Sequence, residues 1–116
     1  MVDDEPNILL TLRLILESKG IIVQTANSAK NAEPLLGESR FDVMVTDLSM
    51  ETRTSGYDLV QIAKKQAPRL ATIVISGYPD LLVLWQEQGA DAGLAKPTDI
   101  PELLQTIEQL AHCHRE

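Results

Sequence analysis

Apolar residues along the chain fall alternately into helical spacings and short strand-like runs. Ile8, Leu9, Leu12, Ile15 and Leu16 recur at intervals of three and four, which predicts a helix opened by Pro6 and stopped by Gly20. Ile21 to Thr25 reads as a short strand. Ser28 is placed to cap a helix through Leu36 that Pro34 is expected to bend or shorten. In Phe41 to Met50, FDVMVTDLSM, Phe41, Val43 and Val45 alternate with Asp42, Met44 and Thr46. Met44 is apolar too, so the run reads as a strand covered on both faces and central in a sheet. Glu51 to Ser55 is a polar loop, and Tyr57 to Gln66 a helix with Leu59, Val60, Ile62 and Ala63 inward, ended by Pro68. Ala71 to Ile75 is a second buried strand that stops at Ser76-Gly77. Asp80 to Gln88 reads as a helix ended by Gly89, Ala92 to Ala95 as the last strand, and Lys96-Pro97 as the turn after it. Thr98 or Asp99 caps a final helix that carries Leu103, Leu104, Ile107 and Leu110.

Strands alternating with helices mean βαβ units, hence an α/β fold with a parallel sheet and helices on both faces. In such a sheet the strands end on one side, where ligands bind. Asp47 stands at the tip of the central strand, Asp3 and Asp4 after the chain's first residues, and Ser76 and Lys96 after later strands. Clustered carboxylates repel unless a cation sits among them, and oxygen donors with open positions suit Mg²⁺ or Mn²⁺. A lysine and a hydroxyl facing that metal suit a phosphoryl group. The set points to phosphoryl transfer onto an Asp47 oxygen. Taken singly, each residue has a plainer reading: Asp3-Asp4 as helix-dipole partners, Ser76-Gly77 as a turn, Lys96 as a solvated charge, Asp47 as a cap. Their common position at strand ends is what favours the joint one.

The 116 residues suffice for one domain, 1–116, with no output domain, and a 3% aromatic share makes its core aliphatic. A net charge of −7 argues against direct nucleic-acid binding and against an anionic membrane surface. The acidic amino end lacks a secretory leader and no run is long enough to span a bilayer, so a cytoplasmic location is expected. Cys113 has no internal partner. His112 and His114 beside it point to different faces of a helix, which makes a poor metal site.

Four segments, Val2-Asp3-Asp4-Glu5-Pro6-Asn7, Val45-Thr46-Asp47-Leu48-Ser49-Met50, Ile75-Ser76-Gly77 and Gly89-Ala90-Asp91 through Lys96-Pro97, resemble the receiver domain of bacterial two-component response regulators. The resemblance covers nearly the whole chain. It implies a flavodoxin-like three-layer (βα)5 fold with strand order 2-1-3-4-5. It also implies that Asp47 accepts phosphate from a histidine kinase or phosphotransfer protein. Asp4 and Asp47, with the Ser49 backbone carbonyl, would bind Mg²⁺ (or Mn²⁺) directly, Asp3 would bind it through water, and Ser76 and Lys96 would hold the phosphoryl oxygens. The downstream partner would be another protein or an output domain in a longer chain, with a homodimer as a further possibility.

Three departures stand out. Only Met1 and Val2 precede the acidic pair, so the first strand is expected to be truncated to two or three residues, or supplied by exchange with a neighbouring chain. Gly93 occupies the switch position at which the family commonly has Tyr or Phe, leaving Trp85 or Tyr78 as substitutes. Glu51 stands where Pro is frequent, in a loop one residue longer, and Ser49 and Tyr78 are candidates for setting the rate of dephosphorylation. Two other functions compete. A degenerate receiver would work as a phosphorylation-independent interaction module. An aspartyl phosphatase would want a second acid two positions after its nucleophile, where this chain has Ser49.

Overall fold

A computed structural model describes residues 1–38, 40–96 and 99–115, and the side chains of all of these except 38 and 112–115. Three parallel strands, β1 (Val43–Asp47), β2 (Ala71–Ser76) and β3 (Ala92–Ala95), form a sheet in that order. Helices α1 (Pro6–Ser18), α2 (Ala29–Glu38), α3 (Ser55–Gln66), α4 (Pro79–Leu82) and α5 (Ile100–Arg115) complete the chain. Alternation along the strands sorts two cores. Val45, Ile73 and Ile75 meet Leu12 and Leu16 of α1 and Leu103 and Ile107 of α5. Met44 and Val74 meet Ala32 and Leu36 of α2 and Tyr57, Leu59, Val60 and Ala63 of α3. With a period of two, β1 and β2 show apolar side chains to both layers, which is why their sequence reads as a nearly unbroken hydrophobic run.

The amino end adds no full strand. Val2 makes isolated parallel bridges to Ala26 on one side and to Thr46 on the other. Its N–H donates to the Val45 carbonyl at 2.8 Å, and its carbonyl accepts from Asp47 N–H at 2.8 Å. The order across the sheet is thus Ala26, Val2, β1, β2, β3, with the first two positions reduced to single residues. The expected truncation of the first strand holds. The expected strand at Ile21 to Thr25 does not form, because only Met1 to Asp3 stands beside this stretch and a ladder needs a partner along its length.

A cavity of ≈ 700 Å³ lies beside Val2 and β1, lined by Ile21, Val23, Leu36, Phe41, Val43 and Ile107 among others. The Met1 ammonium donates to the Gln24 carbonyl at its edge, at 2.9 Å, and burial pushes its pKa down to about 6. Because parallel pairing alternates, the N–H and C=O of Val43 face this gap rather than β2, whose bonds go to Asp42 and Leu48 and the residues of the same parity between them.

Other differences have local causes. α2 runs two residues past the expected end despite Pro34. All four of its leading N–H groups are satisfied: Ala29 and Lys30 donate to the Glu51 carboxylate at 3.0 Å each, Asn31 to Ser28 Oγ at 3.0 Å, and Ala32 to the Ser28 carbonyl at 3.0 Å. That start, together with Ala32 and Leu36 packed in the core, offsets the bond lost at Pro34. α4 is one turn instead of a helix to Gln88; beyond it Leu84, Trp85 and Gly89 bond to carbonyls three residues back, in turns. Asp99 caps α5, its Oδ1 3.5 Å from Glu102 N. The other cap candidate, Thr98, lies with Pro97 outside the described residues, as do the side chains of His112, Cys113 and His114.

A version carrying five apolar residues ahead of Met1 is expected to melt about 5 °C or more above the chain itself as the added strand enters the cavity. Equal midpoints in a thermal melt followed by circular dichroism would show that the gap takes no strand.

Candidate functional site

β1 delivers Asp47 at its carboxyl end, paired in register with Ile75 of β2, and the Val2 bridge delivers Asp3 and Asp4 beside it. One carboxylate oxygen from each of Asp3, Asp4 and Asp47 lies within 4.8 Å of the others. Asp3 and Asp47 are buried and Asp4 is exposed. From the end of β3, Lys96 Nζ donates to Asp47 Oδ2 at 3.1 Å and stands 4.0 Å from Asp3 Oδ2. Gly56 makes this packing possible. A Cβ there would stand 2.5 Å from the Asp47 carbonyl oxygen and 2.8 Å from Leu48 Cα, and its N–H donates to the Leu48 carbonyl at 2.8 Å.

The charges are in tension. Burial pushes the Asp47 carboxyl above the usual range and the charge of Asp4 adds to that, with the Lys96 hydrogen bond and charge opposing. Burial likewise raises Asp3, against the 3.0 Å bond it accepts from Glu5 N–H and with the charge of Asp47. Burial would lower Lys96, but the hydrogen bond and charge of Asp47, with Asp3 behind it, raise it overall. A hard, all-oxygen set of three clustered acids, whose burial and mutual repulsion one ammonium offsets only in part, fits a divalent cation.

The remaining predicted residues surround this group. Ser76, buried at the end of β2, accepts from Tyr78 N–H at 2.9 Å. The Lys96 N–H donates to the Ser76 carbonyl at 2.9 Å. Ser49 Oγ donates to the Arg53 carbonyl at 2.7 Å, so both hydroxyls are engaged within their own loops. Tyr78 is exposed, with the Arg53 guanidinium 5.8 Å from its ring centre. Gly93 lies in β3 beneath the Trp85 indole. Glu51 and Gly56 were not singled out as functional by sequence: the groups Glu51 holds are 21 and 22 residues away, and only Gly56's position just past a polar loop hints at close approach.

The chain belongs to the response regulator receiver domain family, whose model matches residues 1–108. It is 37% identical over 113 residues to the alginate biosynthesis transcriptional regulatory protein AlgB of Pseudomonas putida, covering 95% of this chain and 25% of that protein. It is 31% identical over 118 residues to the DNA-binding transcriptional regulator NtrC of Proteus hauseri, covering 100% and 25%. The chain thus spans about a quarter of the length of these relatives. Among solved structures, a response regulator receiver domain from Clostridium thermocellum superimposes with a TM-score of 0.90 at 30% identity, covering 98% of this chain and 93% of that one. The flavodoxin-like α/β fold expected from the sequence is that of these neighbours, and the chain is a receiver module of two-component signalling. Among the described residues, no helix is long and apolar enough to cross a membrane.

Glu51 offers a pH test of the loop that follows Asp47. The Ala29 and Lys30 N–H groups hold its carboxyl below the ordinary value of 4.5. Its contribution to stability is therefore fully present above that value and lost as pH falls through the lower folded pKa. Glu51→Gln should cost no more than about 1 kcal/mol at neutral pH, since the group is solvent-exposed. Urea unfolding should show the difference from wild type shrinking below pH 4.5; a difference independent of pH would mean that the carboxylate is not the cap.

Proposed function

We propose that Asp47 is the phosphoacceptor of this receiver and takes its phosphoryl group from the phosphohistidine of a histidine kinase or phosphotransfer protein. The reading rests on one observation, the meeting of Asp47 with Asp3, Asp4 and Lys96 at the ends of separate strands. An Asp47 carboxylate oxygen attacks phosphorus, the P–N bond breaks, and its electron pair returns to the imidazole, which takes up a proton. Lys96, already bonded to Asp47, is positioned to follow the incoming negative charge and bond a phosphoryl oxygen, with the Ser76 hydroxyl as a second donor. Asp4, Asp47 and the Ser49 carbonyl would hold Mg²⁺, with Asp3 acting through water. A bound ion would supply neutralisation of charge on the transferring oxygens.

Ser49 and Tyr78 flank the site and are the residues we assign to setting the lifetime of the acyl phosphate. The phosphorylated state would act on a downstream protein or on an output domain, as the names and greater lengths of the relatives suggest. The module would work in the cytoplasm. Neither the acid cluster nor the comparisons favour the degenerate reading.

Incubation with acetyl phosphate and Mg²⁺ followed by intact mass should show the gain of one phosphoryl group. Asp47→Asn should gain none, and omission of Mg²⁺ should suppress the gain in wild type. An unmodified wild-type mass, or modification that persists in Asp47→Asn, would overturn the assignment.

A further inference from the structure

The loops that leave β1 and β2 border the carboxylate edge together. They start side by side, since Asp47 is paired with Ile75 and the Leu48 N–H donates to the Ile75 carbonyl at 2.9 Å. They meet again further along, where the Arg53 guanidinium stands 5.8 Å from the centre of the Tyr78 ring. Arg53 comes six residues after Asp47 and Tyr78 two after Ser76, so this contact closes a ring of chain at the ends of the two strands that carry the site.

Both partners have exposed side chains on a fixed backbone. Ser49 Oγ donates to the Arg53 carbonyl at 2.7 Å, the Thr52 N–H donates to Ser55 Oγ at 2.6 Å, and Glu51 is tied to the start of α2, which leaves the loop little freedom to carry Arg53 elsewhere. The Tyr78 N–H donates to Ser76 Oγ at 2.9 Å, and its carbonyl accepts from the N–H groups of Leu81 and Leu82 at 3.1 and 3.0 Å. An exposed ring has several staggered positions open to it. A guanidinium against its face selects one.

We infer that Arg53 is a positioning residue that holds the Tyr78 ring over the approach to Asp47 and so lengthens the life of the acyl phosphate. The inference rests on the phosphoacceptor assignment above and adds to it a residue that acts only through another. Loss of the group is a hydrolysis: a water oxygen attacks phosphorus opposite the aspartyl oxygen, the bond between them breaks, its electron pair returns to the carboxylate, and the surplus proton of the water leaves with solvent. Asp47 ends β1, so the side opposite its oxygen lies beyond the sheet edge, where the two loops stand. Asp3, Asp4 and Lys96 crowd the carboxylate itself. The ring, kept in place by Arg53, narrows the path by which water arrives.

The lifetime is read by intact mass, with Mg²⁺ present throughout and acetyl phosphate removed at the start. Arg53→Ala should shorten it by about two- to five-fold, the worth of an exposed contact between a cation and a ring, and Tyr78→Ala by at least as much. Adding Arg53→Ala to Tyr78→Ala should shorten it no further, because the ring through which Arg53 acts is gone. Tyr78→Phe keeps the ring and should restore the lifetime lost in Tyr78→Ala. Arg53→Ala should also melt within about 2 °C of wild type, as an exposed substitution does. A wild-type lifetime in Arg53→Ala, an undiminished effect of Arg53→Ala beside Tyr78→Ala, no restoration in Tyr78→Phe, or a larger fall in the melting midpoint overturns the inference and leaves the phosphoacceptor assignment standing. Absence of the phosphoryl group from wild type overturns the assignment, and the inference with it.

Discussion

Repulsion among three acids is the constraint around which this fold is arranged. Two unit charges less than 5 Å apart near a protein surface repel by about 3–4 kcal/mol, and Asp3 and Asp47 are buried as well. The sheet nevertheless holds them together, because Val2 is bonded to both Val45 and Asp47 and brings the acidic pair with it. Burial, and after it the neighbouring acids, raises the pKa values of Asp47 and Asp3, and Lys96 offsets only part of this. The framework is therefore strained in one electrostatic sense: it holds negative charge that Lys96 balances only in part and that a cation would relieve. A ligand's charge would matter more in such a site than it does in water.

Much of this was readable from sequence where the determining interactions are local or periodic. β1, β2 and β3 appear within a residue or two of their expected ends: β1 and β2 because buried parallel strands are dense in apolar residues, β3 because Gly89 before it and Lys96-Pro97 after it mark its bounds. Asp47, Lys96 and the acidic pair were identifiable for the same reason. The stretch Ile21 to Thr25 has strand composition but no strand, since pairing depends on a neighbour and only Met1 to Asp3 is there. The stretch Asp80 to Gln88 has helical composition but only one turn of helix. Leu81, Leu82 and Gln88 carbonyls bond to Tyr57 and Gln61, and Trp85 is drawn onto Gly93, none of which is visible within the segment.

Two of the departures from the family pattern share that character. Glu51 ties the loop after Asp47 to the start of α2, so a position that reads as a departure from its family's habit becomes a cap on a distant helix. Gly93 reads as a loss, yet the space it leaves is filled by a larger ring from another part of the chain. In both cases a substitution at one site is matched by a contact whose partner lies far off or on a different element. Composition alone cannot reveal such matches, because side-chain packing across elements, not local propensity, decides them.

The thinness of the amino-terminal pairing has a thermodynamic corollary. Asp3 and Asp4 are attached to the sheet through one residue, bridged once on each side, next to a cavity. An ion gripped jointly by these acids and Asp47 would fasten the front of the chain to β1 from the outside, and by mass action whatever favours that grip also favours the closed sheet. Ion affinity and the anchoring of the first residues are then a single linked equilibrium, so a change in either one alters the other by the same free energy.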